Sequence, residues 1–251
     1  MLLERLLQKP TPFCFLDTHA GAGGYLLHSV ESQKKREYEK GVLKFFDAHA
    51  EDIPEALSGY LNIIHHYNPN NQLILYPGSP TIAASFMRPS DQMILCELHP
   101  EEKELLRQNM KGQHQKIAIH HLDGYLGMKA FLPPKETRGL VLIDPPFEVT
   151  DEFSRILSAL KHALTHWRSG QYLIWYPIKN EKAVDSFEKS LQHITSNLLF
   201  IHMTFNETFE TGKLKSCGLA LINPPWKLKE AFESQVLPYL SQALNAVIHI
   251  D

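Results

Sequence analysis

Short apolar runs alternate with longer amphipathic segments along most of the chain. The runs are rich in Ile, Leu, Val and Phe, and seven of them predict strands: Phe13–Leu16, Met93–Cys96, Ile117–His120, Leu140–Ile143, Tyr172–Tyr176, Leu198–Phe205 and Gly218–Ile222. Segments with helical spacing lie between them, for example Glu101–Met110, Phe153–His166 and Glu181–His193. This alternation predicts an α/β fold in which a seven-stranded, mostly parallel sheet is covered by helices on both faces.

One region departs from this alternation. Between Gly24 and Tyr76 the pattern is helical, over Arg36–Ala48 and Ile53–Tyr67, and no run there is typical of a strand. We therefore expect a helical insertion, residues 31–75, after the first strand and its turn. Because no internal repeat or Pro-rich linker marks a boundary, residues 1–251 are predicted to form a single domain.

The composition narrows the class of protein. The 251 residues are 43% hydrophobic and 21% charged, as in an ordinary globular protein. No stretch approaches the roughly 20 apolar residues of a membrane span, and residues 1–10 lack the features of a signal peptide, so we expect a cytoplasmic protein. The net charge of −3 argues mildly against broad nucleic-acid affinity but is compatible with a local basic patch.

The cysteines and histidines do not predict a metal site. Cys14, Cys96 and Cys217 are odd in number, far apart and inside predicted strands, so we interpret them as buried thiols. The sequence has no Cys-x-x-Cys pair, and its 14 histidines do not form a His-Glu-x-x-His motif. We expect no bound metal.

The first motif with chemical content is FCFLDTHAGAGGY, residues 13–25. A strand runs into Asp17 and then into a turn with three glycines, the first of which is Gly21. A nicotinamide-binding fingerprint would need glycine at position 26, which is Leu26. A strand ending in an acid before Gly-x-Gly instead resembles the first motif of class I methyltransferases, whose turn packs against the amino-acid part of S-adenosylmethionine. A turn with a purely structural role is the alternative.

Two further predicted strands also lead to acids. Glu97 follows the second strand, where a carboxylate could accept hydrogen bonds from ribose hydroxyls; the alternative is an acid at a helix N-terminus. Its long separation from Asp17 is accounted for by the helical insertion. Asp123 and Gly124 follow the third strand, where they could meet an adenine amino group, although an ordinary turn is the alternative.

The segment LVLIDPPF, residues 140–147, is the most informative. The amino group of adenine is a poor nucleophile, so it must be held close to a methyl donor while acceptors take its protons. Asp144 and the carbonyl of Pro145 can accept them, because proline has no backbone N–H to compete. Phe147 can stack on the base. These residues are the predicted catalytic group, and the expected gain comes from proximity and orientation.

A second segment, GLALINPPW at residues 218–226, fits the same loose pattern. The polar stretch around Asn206–Ser216 is too short for a helical crossover, so the last two predicted strands form a hairpin and the final one is antiparallel. Its end then points to the edge of the sheet opposite the ligand-binding edge. We interpret Asn223 as part of a structural turn before a helix at Leu228–Leu244.

With these motifs in order, the chain resembles the bacterial RlmJ family of large-subunit ribosomal RNA adenine-N6 methyltransferases, some of which are also associated with the use of external DNA. The resemblance covers almost the whole chain and rests on LDTHAGAG, YPGSP, ELHP, DGY, IDPPF, WYP and NPPW. It implies a class I, Rossmann-like methyltransferase fold, S-adenosylmethionine as cofactor and ribosomal RNA as partner, and we expect a monomer. It further implies that His19, Ser79, Glu97, Asp123 and Gly124 line the cofactor site, together with Asp17, Gly21 and Asp144.

Two departures from the family pattern are visible. Members usually begin with a His-Ala-Gly-Asn-x-x-Asp-Val-x-Lys-His segment, which would precede Leu2 and is not in this sequence. The resemblance implies that this segment supplies cofactor contacts, a catalytic lysine and groups for RNA, so the corresponding expectation is truncation or weakened catalysis. Phe147 stands where tyrosine is common, and it keeps an aromatic face for stacking.

Other functions fit some of the same residues. An Asp-Pro-Pro-aromatic motif serves any planar amino group, so a DNA adenine or a protein amide is an alternative substrate. A non-catalytic cofactor-binding or DNA-binding protein is an alternative of a different class, and it would keep its function after Asp144→Ala.

Overall fold

The structure is a computed structural model of the chain, and it describes residues 1–29, 32, 36–48, 52–113, 116–206 and 214–251. Its strands are β1 (Cys14–Asp17), β2 (Gly24–Leu26), β3 (Leu75–Pro77), β4 (Gln92–Cys96), β5 (Lys116–His120), β6 (Gly139–Ile143), β7 (Gln171–Pro177), β8 (Leu198–Phe205), β9 (Ser216–Ile222) and β10 (Ala246–Ile250). Its helices are α1 (Leu2–Leu7), α2 (Glu37–Lys40), α3 (Leu43–Phe46), α4 (Glu55–Tyr67), α5 (Ser79–Phe86), α6 (Pro100–Asn109), α7 (Gly124–Phe131), α8 (Glu152–His166), α9 (Glu181–Ile194), α10 (Leu228–Gln235) and α11 (Leu237–Ala243).

The main sheet has the strand order β10-β8-β9-β7-β6-β1-β4-β5. Neighbours from β5 to β7 are parallel, so their carboxyl ends meet at one edge, here called the carboxyl edge. β9 is antiparallel to both β7 and β8, as the predicted hairpin requires. The α/β, mostly parallel architecture is thus confirmed, and the chain order reverses next to β1, where open α/β sheets bind ligands.

The predicted strand number was wrong by one, since the main sheet has eight strands and not seven. The additional strand, β10, pairs antiparallel with β8 at the edge of the sheet. Its residues alternate between buried and exposed positions, as an edge strand should, but five residues at the end of a chain give a weak pattern.

Each face of the sheet has its own hydrophobic core. α7, α8 and α9 cover one face, where Met128, Ile156 and Phe187 pack against the strands. α1, α5 and α6 cover the other face, with Leu6, Ala83 and Leu106 in its core. Since both faces of the central strands are buried, the strands read as continuous apolar runs, and six of the seven predicted ones lie wholly within the observed strands.

The segment between the first glycine turn and α5 differs from the helical prediction at its two ends. β2 and β3 pair as a small antiparallel ribbon, and the helices α2, α3 and α4 lie between these strands along the chain. Three-residue strands give almost no periodic signal, which is why the sequence did not indicate them. Residues 31, 33–35 and 49–51 of the expected insertion lie outside the described residues, as do 207–213 of the hairpin turn.

The C-terminal helix predicted at Leu228–Leu244 is two helices, α10 and α11. Pro238 lies in the first turn of α11 and cannot donate a backbone hydrogen bond to the preceding turn, so the helix is interrupted at Val236. In the part of the chain that the structure describes, no helix has the length and apolar character needed to cross a membrane.

Candidate active site

Four acids follow four neighbouring parallel strands at the carboxyl edge. Across the sheet they come in the order Asp123, Glu97, Asp17 and Asp144, after β5, β4, β1 and β6. The sequence predicted each of them separately, and the strand order brings them together. This edge carries negative charge, which suits a ligand with a cationic sulfonium and an ammonium group.

Asp17 is fully buried at the end of β1. One of its carboxylate oxygens accepts a hydrogen bond of 2.6 Å from the hydroxyl of Ser79, the first residue of α5, and the other accepts one of 3.2 Å from the backbone N–H of His19. Burial raises the pKa of Asp17 to about 7, with contributions in the same direction from Asp144 and Glu97, while the two hydrogen bonds lower it. Asp17 therefore fixes the start of the glycine turn and of α5.

Glu97 closes the glycine turn from the β4 side. Its Oε2 accepts a hydrogen bond of 2.8 Å from the backbone N–H of Gly21, and its Oε1 accepts one of 2.7 Å from the N–H of His99. Each oxygen keeps further acceptor capacity toward solvent, since the side chain is only partly buried. The carboxylate is thus oriented by the backbone and can still accept hydroxyl groups.

Two glycines allow close approaches that a side chain would block. Gly21 has φ +59°, and a Cβ there would lie 2.1 Å from the hydroxyl of Tyr25. Gly124 lies against β1, where a Cβ would be 2.1 Å from the carbonyl oxygen of Thr18. The glycine turn and the start of α7 therefore depend on the absence of a side chain at both positions.

Asp123 has structural partners for both of its oxygens. Oδ1 caps α7 by accepting from the backbone N–H groups of Tyr125 and Leu126, and Oδ2 forms an ion pair of 2.6 Å with Arg155. Arg155 also contacts Glu152 at 3.4 Å and lies over the ring of Tyr125, 4.7 Å from its centroid. Asp123-Gly124 is thus the start of a helix and not an ordinary turn, and only the remaining lone pairs of Asp123 could meet a ligand.

His19 is held by the neighbouring threonine. Oγ1 of Thr18 lies 3.0 Å from the carbonyl oxygen of Leu142 and 2.8 Å from Nδ1 of His19, so the hydroxyl links the ring to β6. Burial lowers the pKa of His19 to about 4, and Arg155 acts in the same direction, so the ring is neutral at pH 7. A neutral imidazole offers one acceptor nitrogen and one donor N–H.

Asp144 differs from the other three acids. No described residue donates a hydrogen bond to its carboxylate, and the side chain is exposed to solvent. Although water reaches it, the surrounding protein atoms reduce its solvation, which raises its pKa to about 6. Its charge also acts on Asp17, so the two carboxylates share one region. Asp144 is therefore ionised at pH 7 with both oxygens available to a substrate.

An aromatic wall adjoins Asp144. Phe147 has a left-handed backbone, with φ +51°, which is uncommon for a residue with a large side chain. Its ring makes edge-to-face contacts with Phe153 and Trp175, at centroid distances of 5.3 and 6.0 Å. Pro145, which follows Asp144 in the chain, is buried. The unusual φ turns the Phe147 ring back against these two aromatic residues.

The second Pro-Pro motif lies at the opposite edge of the sheet, as predicted. Nδ2 of Asn223 donates to the carbonyls of Arg168 and Gly170, at 2.8 and 2.7 Å, just before β7 begins. Its Oδ1 accepts from Asn197 at 3.1 Å. Asn223 is thus fully used as a structural connector, and it does not face the four acids.

Three residues of the site were not indicated by the sequence. Thr18 and Tyr25 lie within the glycine motif but were given no role, and Arg155 lies in none of the motifs. The partners of Thr18 and Arg155, which are Leu142 and Asp123, lie 124 and 32 residues away in the chain. For Tyr25, the aromatic residue that ends the glycine segment was a usable signal. The thiols of Cys14, Cys96 and Cys217 are free and buried, as expected. Among the described residues no group of His, Cys, Asp and Glu could hold a metal ion.

Comparisons with known proteins are consistent with this geometry. The family described as "Ribosomal RNA large subunit methyltransferase D, RlmJ" matches residues 10–248. The protein called Ribosomal RNA large subunit methyltransferase J from Escherichia coli K12 is 34% identical over 245 residues, which cover 97% of this chain and 86% of the relative. Its namesake from Haemophilus influenzae is 35% identical over 246 residues, with the same coverage.

A solved structure extends the comparison to the fold. The crystal structure of protein LPL1258 from Legionella pneumophila superposes with a TM-score of 0.92 at 32% identity, covering 100% of this chain and 92% of that one. The resemblance inferred from the sequence motifs is confirmed by the matched family and by the two relatives. From the four acids at the carboxyl edge and these matches, we conclude that the chain belongs to the RlmJ family of methyltransferases.

Proposed function

We propose that the protein transfers a methyl group from S-adenosylmethionine to the exocyclic amino group of an adenine in large-subunit ribosomal RNA. The observation that carries the proposal is the free carboxylate of Asp144, between the cofactor end of the sheet and an aromatic wall. The ribosomal RNA substrate is that of the named relatives. The methyl donor follows from membership in the family and from the fit described next.

The residues at the carboxyl edge suit S-adenosylmethionine. Glu97 offers oriented acceptors for the two ribose hydroxyls, and it also holds the backbone of the glycine turn at Gly21, against which the amino-acid part would pack. The edge carries the carboxylates of Glu97 and Asp144 beside Asp17, and this negative charge complements a cationic ligand. Nε2 of His19 and the remaining lone pairs of Asp123 add polar contacts. Ser79 acts through Asp17, since its hydroxyl donates to that carboxylate.

Asp144 and Phe147 carry the substrate side of the proposal. When bound, the cofactor supplies a sulfonium methyl group; the new N–CH₃ bond forms as the S–CH₃ bond breaks, and the adenine nitrogen then loses one proton. Asp144 accepts a hydrogen bond from the amino group and can receive that proton, and the Pro145 carbonyl holds the second N–H. Phe147 stacks on a base that has been turned out of its helix. No covalent bond between protein and substrate is needed.

The proposal is tested by offering the purified protein S-adenosylmethionine with large-subunit ribosomal RNA, duplex DNA and unmodified ribosomal protein in separate reactions. We expect N6-methyladenosine at one position of the RNA, located by nuclease digestion and mass spectrometry. Methylation of DNA or protein alone would move the proposal to one of the alternative substrates. Binding of S-adenosylmethionine without transfer to any of them would leave the non-catalytic alternative.

The same proposal extends to the state and place of the protein. A ribosomal RNA substrate is met in the cytoplasm, where we expect the protein to act. We expect the protein to act as a monomer. Sedimentation of the active protein checks this expectation.

A further inference from the structure

The outer face of α8 carries a row of exposed cationic and hydroxyl side chains. They recur at steps of four and three residues, which places them on one side of the helix. We call this row the α8 stripe: Ser154, Ser158, Lys161, Thr165 and, just beyond the helix, Arg168. Residues 153–170 contain no Asp or Glu. In a chain with a net charge of −3, such a surface is a local exception.

The first end of the stripe reaches the carboxyl edge. A cleft of about 500 Å³ lies between α7 and α8, and its lining includes Ser154, Arg155 and Lys129. The only acid in the lining is Asp123, which is already paired with Arg155. The stripe therefore begins beside the proposed active site, at a cleft whose one lining acid is paired with an arginine.

The second end of the stripe opens into a larger cleft at the opposite edge of the sheet. This amino-edge cleft has a volume of about 890 Å³ and is lined by the ends of α8 and α9 and by the Asn223 turn. Lys161, Arg168 and His193 are among its residues, and no acid is. Neither Lys161 nor Arg168 forms an ion pair within the described part of the chain.

An exposed aromatic residue stands next to this cleft in the sequence. Trp226 lies three residues after Asn223, and 83% of its side chain is exposed, more than for any other large hydrophobic residue among those described. A buried role for this ring is excluded. Exposed rings beside cationic grooves are the usual platform for unpaired bases.

A structural role explains only part of these observations. Cations in the last turn of a helix stabilise its macrodipole, and His166 could serve α8 in this way when protonated. This role does not require the hydroxyls earlier in the stripe, the absence of acids from the lining of the amino-edge cleft, or an exposed tryptophan. A polyanionic partner accounts for all of them.

We propose that the α8 stripe and the amino-edge cleft bind the phosphate backbone of the RNA substrate away from the target adenine, and that Trp226 stacks on an unpaired base there. Arg155 and Arg168 are separated by about 20 Å along the helix, given a rise of 1.5 Å per residue, so several phosphates fit along it. The inference rests on the proposed function and adds a second contact region to it.

The test compares a long ribosomal RNA fragment with a short oligonucleotide that contains only the target adenine and its neighbours. For Lys161→Ala with Arg168→Ala, we expect KM for the long RNA to rise about tenfold, with kcat unchanged. The slope of log KM against log salt should fall by about 1.4, because two phosphate contacts are lost. KM for the oligonucleotide should not change. Trp226→Ala should raise KM for the long RNA in the same selective way.

A matched control is Arg107→Ala with Lys111→Ala, which removes one arginine and one lysine at and just after α6, on the other face of the sheet. We expect this control to behave as the unmodified protein. If the stripe variant equals the control on the long RNA, the inference is wrong, and the cleft then serves a protein partner or none. If the unmodified protein methylates neither RNA, the proposed function itself fails, so the two failures are distinguishable.

Discussion

The four acids of the carboxyl edge differ in how many hydrogen bonds their carboxylates accept from the protein. Asp17, Glu97 and Asp123 each receive two or more bonds from the protein, whereas Asp144 receives none from the described residues. A polar group that the fold does not satisfy is available to a ligand. The sequence located all four acids, since each follows its own strand, but it could not show which were already engaged.

Replacing Asp144 tests its role directly. Asp144→Asn keeps the shape of the side chain but makes one of its two acceptor atoms a donor, so it can no longer receive a proton from the amino group. We expect kcat for RNA methylation to fall on the order of 100-fold or more, while S-adenosylhomocysteine binds within a few-fold of its original affinity. Single-turnover methylation and calorimetric titration measure the two effects. A variant with full activity would contradict the proposed catalytic group.

The raised pKa of Asp144 predicts the acid limb of the pH profile. Only the ionised carboxylate accepts a proton, and this form is lost as the pH falls through about 6. The rate of the methyl-transfer step should therefore be level above pH 7 and decline toward tenfold per pH unit below about 5.5. Single-turnover rates from pH 4.5 to 8.5 measure this limb. Asp144→Asn should lack it, and an identical limb in that variant would assign the titration to another group.

At the scale of the elements, buried central strands were predictable and short or marginal ones were not. All seven predicted strands correspond to observed ones, and the central strands are the clearest because both of their faces are buried, which leaves a continuous apolar run. β2, β3 and β10 depend on pairing with distant residues, and a few residues do not encode that pairing locally. The same holds for the Arg155–Asp123 contact, which exists only because α8 packs beside α7.

The junction between β1 and α7 predicts the effect of one added methyl group. A Cβ at position 124 would overlap the Thr18 carbonyl oxygen, which belongs to rigid backbone. Gly124→Ala should therefore move α7 away from β1, lowering the free energy of unfolding by about 2 kcal/mol and weakening S-adenosylhomocysteine binding at least tenfold. Urea denaturation and calorimetry report these quantities. Gly112→Ala is the comparison: it has open space but φ +81°, so only stability should fall, by about 1 kcal/mol.

The Asn223 turn predicts a loss of stability. Asn223→Ala removes the donors to the carbonyls of Arg168 and Gly170 and leaves both without these partners at the start of β7. We expect the free energy of unfolding to fall by about 1–2 kcal/mol in denaturant titrations. An unchanged stability would mean that water replaces the side chain at no cost, and the structural interpretation of the second Pro-Pro motif would lose its basis.

At the scale of the whole molecule, strand direction separates two motifs that look alike in sequence. Both Asp144 and Asn223 follow an apolar strand and precede two prolines, but β9 runs against β6 and β7, so the two turns lie at opposite edges. The short hairpin connection allowed this to be predicted before the strands were seen. The two clefts at the ends of α8 could not be predicted from the sequence, because they depend on how α7, α8 and α9 pack.

Ligand binding should stabilise the whole fold, since the cofactor residues come from four strands of one sheet. At a concentration of S-adenosylhomocysteine about 100-fold above its Kd, the stabilisation is about 2.7 kcal/mol, or a rise in Tm of roughly 5–10 °C. Calorimetric melting measures this shift. Asp144→Asn should retain it and Gly124→Ala should reduce it. A comparable shift with NADH would indicate a different cofactor.

The paired bonds from Thr18 to Leu142 have a mechanical consequence. Both the N–H and the hydroxyl of Thr18 donate to this one carbonyl, which belongs to β6 and lies two residues before Asp144, so the start of the loop after β1 is fastened to the end of β6. The methyl donor and the adenine amino group would then be bound by one rigid frame of the protein. No loop would need to close to set the distance between them. The slow event in turnover should accordingly be the delivery of the nucleobase into that frame.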